Sequence, residues 1–304
     1  MTQTQPAPLF GISVTPIADA YPQLVAQVMT AERTGLDLVG IQDHPYQRRF
    51  LDTFALIADL LARTSRLRFF PDVASLPMRP PAMLAKAAAS LDRMSGGRFE
   101  LGLGAGAFWD SVGAMGGTVR GPGERGSALE EAIGIIRGAL DVGPERRVVK
   151  NPGRYYPNLG YPAGPPPAHR VEIWVGAMAP RAMGVIGRLA DGWIPAGGAS
   201  RIGEHPDLSA RIDEAAAAAG RDPGSIRRVL NVAGAITDGA RGGEPLEGPT
   251  DQWIETLSLW AVEHRVDAFV FWPAEVGEQQ IERFASEIVP AVRGAIVDHS
   301  RRRP

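Results

Sequence analysis

The chain has 304 residues, a formal net charge of −2 and Lys and Arg spread along its length, which excludes the electrostatic footprint of a nucleic-acid binder or a polybasic membrane patch. At 44% hydrophobic and 22% charged residues it carries enough apolar material for a sizeable core. The absence of cysteine rules out disulfides, thiol nucleophiles and thiolate metal sites, and is compatible with a reducing compartment.

The start, Met1 to Pro6, lacks the basic and apolar runs of a signal peptide, and no apolar run approaches the roughly 18 residues of a membrane span. The expectation is a cytoplasmic protein with a small-molecule ligand and neither membrane nor nucleic-acid partner.

The predicted elements alternate from the start. A strand at Leu9 to Val14 precedes a helix over Tyr21 to Thr34 that Gly35 closes, and Leu36 to Ile41 forms the second strand. Phe50, Phe54, Ile57 and Leu61 recur at helical spacing, and Arg66 to Phe70 is a strand that Pro71 ends. Met83, Ala87, Leu91 and Met94 line the third helix; Phe99 to Leu103 makes the fourth strand; Leu129, Ile133, Ile136 and Leu140 mark the next helix. Residues 142 to 170 contain eleven Gly or Pro and read as a long excursion holding a small hairpin around Arg147 to Tyr156. Then come the strand Val171 to Val175, a helix over Pro180 to Leu189, the strand Gly192 to Pro195 and an alanine-rich helix from Pro206 to Ala219. Arg228 to Ile236, a helix marked by Trp253, Leu257 and Trp260, Val266 to Trp272, and a helix marked by Ile281, Ala285, Ile288 and Val292 complete eight strands and eight helices, with a solvated tail over 298–304.

Such alternation requires a parallel sheet, and eight units imply a closed (β/α)8 TIM barrel within the single domain 1–304, with the 142–170 insertion between helix 4 and strand 5. The competing open doubly wound sheet would carry a glycine-rich phosphate loop after its first strand, where this chain has Thr15-Pro16.

A barrel of this kind keeps its chemistry on the loops that follow the strands. After the second strand, Asp43-His44 places an imidazole beside a carboxylate; His44 is suited to proton transfer near neutral pH, and the plain alternative is a capping Asp with a His closing a turn. His169, His205, His264 and His299 fall at no strand C-terminus, so no catalytic metal is expected. Gly104-Ala105-Gly106 offers backbone without side chains to a flat ligand or to another strand. Phe108 and Trp109, with Trp193 on the sixth strand, are candidate walls of a substrate site or ordinary packing. Gly176-Ala177-Met178-Ala179-Pro180-Arg181 runs straight into a helix whose free amides, with Arg181, suit a phosphate, though a plain strand-to-helix turn reads alike.

Three segments together resemble the bacterial-luciferase-like family of flavin- and deazaflavin-dependent oxidoreductases, over about Phe10 to Val292: Gly40-Ile41-Gln42-Asp43-His44-Pro45-Tyr46; Leu84-Ala85-Lys86 through Leu91-Asp92-Arg93-Met94-Ser95-Gly96-Gly97-Arg98 to Gly106; and Ile173 to Ala177 through Gly187 to Trp193. The resemblance implies an isoalloxazine-type ring at the barrel mouth, its phosphate near Gly176 to Arg181. It also implies a non-prolyl cis peptide at Asp72-Val73, with Ala74 following, that bulges beneath the ring. The Asp43-His44 pair is similar to the deazaflavin branch, which favours coenzyme F420, with FMN as the alternative. Ala107 stands where the sugar-phosphate branch has an acidic residue, which argues against such a substrate. Family likeness further implies a homodimer and, for FMN chemistry, a reductase supplying reduced flavin. A non-catalytic flavin-binding barrel is the remaining alternative.

Overall fold

A computed structural model describes residues 8–143, 148–274 and 277–302. In chain order the strands are β1 (Leu9–Val14), β2 (Leu38–Ile41), β3 (Arg68–Pro71), β4 (Ala74–Ser75), β5 (Leu101–Gly104), β6 (Val148–Asn151), β7 (Asn158–Pro162), β8 (Ile173–Gly176), β9 (Gly192–Ile194), β10 (Arg227–Ile236), β11 (Glu247–Gly248) and β12 (Ala268–Pro273). The helices are α1 (Tyr21–Thr34), α2 (Thr53–Arg63), α3 (Pro81–Ser95), α4 (Trp109–Ala114), α5 (Pro122–Leu140), α6 (Pro180–Leu189), α7 (His205–Ala218), α8 (Thr250–Glu263), α9 (Glu278–Arg283) and α10 (Val289–Arg302).

The barrel strands pair in the order β3-β2-β1-β12-β10-β9-β8-β5-β4, all parallel. β3 and β4 are two halves of one stave, broken at Asp72-Val73: the first half pairs with β2, the second with β5. A further bridge between Phe69 and Phe99 joins the seam, so eight staves close into a ring. The peptide bond at the break is cis, at the expected Asp72-Val73 position.

Strand alternation sorts the side chains. Phe10, Ile12, Val39, Ile41, Phe69, Leu101, Leu103, Ile173 and Val175 face outward into the layer shared with the helices, whereas Leu38, Phe70, Trp174, Ile194, Val229, Ala268 and Val270 fill the lumen. Close approach explains the glycines of β5 and β8. A Cβ on Gly104 would stand 2.7 Å from Val73 Cγ2, one on Gly176 would stand 2.8 Å from it, and one on Gly102 would strike the Pro71 carbonyl. These glycines seat the Val73 side chain and the broken stave.

Three expectations are revised. In α3 the buried face is Leu84, Ala85, Ala88, Ala89, Leu91 and Asp92, while Met83 and Met94 are exposed, because the helix begins at Pro81 and presents its alanines to the staves. The hairpin in the insertion lies further along, β6 pairing antiparallel with β7; Arg147, where it was expected to begin, lies outside the described residues. The last helix is interrupted by a π turn at Phe284–Ile288 and α10 continues to Arg302, through most of the stretch expected as a tail; 303–304 lie outside the described residues.

At the N-terminal end of the barrel, buried charges fasten the insertion. Asp92 accepts the amides of Ala168 and His169, at 2.6 and 3.1 Å, and the His169 ring bridges Asp92 Oδ1 at 2.6 Å and Glu100 Oε1 at 3.1 Å. The hydrogen bond to Glu100 leads in raising the His169 pKa above its ordinary value, against partial burial. His169 contributes stability that is complete at acid pH and fades as pH rises through its elevated folded value. Replacing His169 by Ala should lower unfolding free energy by about 2 kcal/mol, discounted because a third of the ring is exposed. The deficit, read by denaturant melts, should be full at acid pH and shrink as pH rises above 6.5 through the raised folded value. Gly102→Ala should cost more, about 3 kcal/mol or a failure to fold, since backbone must move.

Candidate functional site

The staves open at their C-terminal ends into a cavity of about 700 Å³, lined on one side by Asp43, His44, Tyr46 and Phe108 and on the other by Gly176 to Ala179, Arg181 and Arg125. The strand alternation that fills the lumen with apolar side chains stops here, and the floor is formed by Asp72, Val73, Ile194 and Asn231.

His44 is placed by a set of locking contacts around its neighbours. β2 ends at Ile41, and the Gln42 carbonyl accepts from Thr53 Oγ1 at 2.5 Å. The Asp43 carboxylate turns away from the cavity: it is 2% exposed, accepts the Ser75 amide at 2.9 Å, and is gripped by Arg79 through two bonds of 2.8 Å. Arg79 also reaches Asp52, the N-cap of α2, at 2.5 Å, and lies 4.5 Å over the Phe54 ring. Asp43, expected to act in catalysis beside His44, has its oxygens spent on Arg79 and Ser75. It therefore ties the His44 loop to the start of α3.

His44 Nδ1 stands 2.8 Å from the Tyr46 hydroxyl, and its ring packs edge-on to Phe108 at 5.4 Å and 89°. Loss of water in this aromatic corner holds the imidazole below its ordinary pKa, only partly countered by the Asp43 charge. Burial and the same charge push the Tyr46 phenol up. At neutral pH the pair is uncharged. When the Tyr46 hydroxyl donates to Nδ1, Nε2 carries a proton to give; in the other tautomer Nδ1 donates to the phenol oxygen and Nε2 is an acceptor.

The opposite wall is cationic. β8 ends at Gly176, and Ala179 caps α6 with no side-chain acceptor; Pro180 at N1 has no N–H and the Ala182 amide bonds the Ala179 carbonyl at 2.8 Å, so the helix start offers the Arg181 amide and the positive end of its dipole. Arg181 bonds Ser127 Oγ at 2.6 Å, and the Arg125 guanidinium lies 4.2 Å over the Trp109 ring beside the start of α5. Two cations and a free helix terminus at one edge of an otherwise apolar cavity suit an anionic group attached to a flat apolar body.

Of the residues selected from sequence, His44, Asp43, Asp72, Val73, Ala74, Gly104, Ala105, Gly106, Gly176, Ala177, Met178, Ala179, Arg181 and Phe108 line this one cavity. Pro180 does not: it points outward at the first turn of α6. Trp109 stands behind the wall as the platform for Arg125. Trp193, expected beside the substrate, is fully buried, donating to the Ala177 carbonyl at 2.7 Å and packing on His205, because β9 turns it outward towards the helices. Tyr46, Arg125 and Asn231 went unselected. Asn231 had a legible signal: it is the one polar position within Val229 to Gly234. Arg125 had none, since its approach depends on how α5 crosses the mouth. Among the described residues no cluster of His, Cys, Asp and Glu suits a metal ion, and no helix is long and apolar enough to cross a membrane.

Known proteins share this architecture. An F420-dependent secondary alcohol dehydrogenase, solved with an F420-acetone adduct, superimposes with a TM-score of 0.81 over 94% of this chain and 99% of its own at 18% identity. A long-chain alkane monooxygenase does so with a TM-score of 0.79 over 97% and 92% at 12% identity. These likenesses establish the fold. In sequence, an uncharacterized protein of Mycobacterium tuberculosis is 35% identical over 196 residues, 63% of each chain, so the match spans less than two thirds of that relative's length. An F420-dependent glucose-6-phosphate dehydrogenase of Kineococcus radiotolerans is 32% identical over 66% of this chain and 60% of its own. A phthiodiolone/phenolphthiodiolone dimycocerosates ketoreductase of Mycobacterium kansasii is 30% identical over 77% and 66%. The family model described as luciferase-like monooxygenase matches residues 3–241, and the chain therefore belongs to that family of oxidoreductases and monooxygenases.

Proposed function

We propose that this chain is an oxidoreductase that holds coenzyme F420 in the cavity and transfers hydride between it and a small organic substrate, with His44 exchanging the accompanying proton. The observation that carries this reading is the division of one cavity into an anion-binding edge at α6 and an uncharged His44–Tyr46 pair across from it. The fit of the group is supported by the Arg125 and Arg181 cations, by the apolar Val73 step on the floor, and by the acceptor that Asn231 Oδ1 leaves without a partner. Relatives whose names specify F420 support the deazaflavin, while a pyrimidine monooxygenase of Bradyrhizobium, 30% identical over 58% of this chain and 48% of its own, keeps the monooxygenase, with FMN as its cofactor here, as the second reading.

When bound, the deazaflavin supplies or takes up a hydride without readily activating oxygen. The protein's part is to anchor the phosphate at Arg125, Arg181 and the α6 terminus, to exclude water from the aromatic corner, and to hold the reacting proton at His44 Nε2. Oxidation of an alcohol would deliver its hydroxyl proton to neutral Nε2 as hydride leaves the carbon; reduction runs the same transfers backwards. Tyr46 follows the tautomer by reversing the direction of its bond to Nδ1. The same reading includes a homodimer and, for FMN chemistry, a separate reductase as the source of reduced flavin.

Titration of the apoprotein with oxidised F420 and with FMN, followed by fluorescence, tests the assignment. Micromolar binding of F420 with far weaker FMN binding is expected; the reverse result would move the protein to the monooxygenase reading, and binding of neither would overturn the cofactor assignment. His44→Ala should leave F420 affinity within about threefold and lower turnover by roughly 100-fold, the usual loss for a positioned acid–base group. In the alcohol-oxidising direction kcat/KM should rise with pH through a value below 6.5, as His44 loses its proton. Replacing Arg125 and Arg181 together by Ala should weaken FMN and F420 binding by about tenfold or more while leaving riboflavin, which lacks the phosphate, almost unaffected.

A further inference from the structure

The indole of Trp193 lies outside the cavity yet is bonded to its wall. Along β9 the side chains alternate, so Ile194 faces the floor of the cavity while Trp193, in register with Val175, enters the layer between the staves and the helices. There the ring is fully buried, and its Nε1 donates to the Ala177 carbonyl at 2.7 Å. His205, the first residue of α7, covers the ring with centroids 4.7 Å apart at 34°. Its two nitrogens have no partner among the described residues, so it backs the indole as a flat plate without competing for the Ala177 carbonyl. That carbonyl and the Met178 amide belong to one trans peptide plane, in which the two groups point in opposite directions. A carbonyl drawn outward to the indole therefore turns the Met178 N–H inward. Ala177, Met178 and Ala179 all line the cavity, and no hydrogen bond among the described residues engages that amide.

We propose that Trp193 is a positioning residue: by holding the Ala177 carbonyl on the helix side, it aims the Met178 amide at the anionic group of the bound cofactor, on the same edge as Arg125 and Arg181. The inference rests on the cofactor reading above for its ligand and on this chain's own hydrogen bonds for its geometry. Without the indole N–H the carbonyl loses its partner, and the peptide gains by turning that oxygen towards the water of the cavity mouth. The rotation swings the Met178 N–H away and presents an oxygen to the phosphate, so an attraction becomes a repulsion. A ring without a phosphate does not meet this peptide group. The effect is therefore confined to the phosphate-bearing form of a ligand, a selectivity that mere packing of a core tryptophan does not produce.

The test measures binding of F420 and FMN, each against its phosphate-free chromophore, to the wild type and to Trp193→Phe, which keeps a buried ring and removes the donor. Trp193→Phe should weaken the phosphate-bearing form of the preferred cofactor by about tenfold, the factor a lost hydrogen bond to a charged group is worth, and the phosphate-free form by less than about threefold. Equal losses for the two forms, or no loss for either, in a variant with unchanged far-UV circular dichroism would overturn the proposal. A wild type that binds neither cofactor defeats the cofactor assignment separately. In that case, or where Trp193→Phe does not fold, the wild-type apoprotein decides, with inorganic phosphate as the probe. With isotope-labelled methionine amides, and Met178 assigned from the signal missing in Met178→Leu, phosphate should move the Met178 amide resonance, and a folded Trp193→Phe should lose that movement. A Met178 resonance that phosphate leaves in place in the wild type would overturn the role of Trp193 without any flavin.

Discussion

The architecture turns on the break in the third stave. A continuous strand there would pair with β2 and β5 along its whole length, and the lumen would be closed by ordinary side chains. Instead Pro71 ends one half, Ala74 begins the next, and the two intervening residues send their side chains to opposite walls. Every adjacent stave is shaped around this: Gly40 on β2 leaves room for Asp72, and Gly102, Gly104 and Gly176 leave room for the backbone of Pro71 and the methyls of Val73. A cavity opens above because four neighbouring positions that would carry side chains in a filled barrel are glycines committed to seating one bulge.

The second constraint is electrostatic. Arg79, which grips the Asp43 carboxylate beside His44, is itself paired with Asp43 and Asp52. That leaves an uncharged aromatic corner at one end of the cavity and Arg125 with Arg181 at the other. An anionic substrate lying against His44 would meet no free cation there, whereas a phosphate at the α6 terminus meets two. The cations thus sit at the far end of the cavity from His44, whose imidazole stays below its ordinary pKa through loss of water.

The fold was largely legible because apolar segments recur at strand and helix length with glycines and prolines at the joints: Gly35 closes α1 in the left-handed conformation expected of it, and Pro180 opens α6. What periodicity could not assign was the face. In α3 the alanines bury as readily as the methionines, so the pattern did not distinguish which side met the barrel. The site was legible wherever a residue's place follows from being at the end of a stave, as with His44, Asp72, Gly104 and Gly176. It was not legible where inward and outward alternate within three residues, as with Trp193 on the short β9, or where a helix from elsewhere in the chain crosses the mouth, as with Arg125.

The stretch that carries the family likeness most strongly does little chemistry itself. Asp92 holds the end of the insertion by its backbone amides, and Arg98 caps the carbonyls of Leu61, Thr64 and Leu67 where α2 hands over to β3. These contacts lie at the opposite end of the barrel from the cavity and serve any member that must close the ring at its fourth stave. The family match ends at residue 241, yet closure requires β12, which joins β1 to β10. Similarity over 3–241 therefore covers seven of the eight staves and not the one that completes the ring. The residues facing His44, with Phe108 set at a left-handed turn and 60% exposed on the rim, lie on a loop that closure does not constrain. Substrate preference can change there without disturbing either the ring of staves or the cation edge.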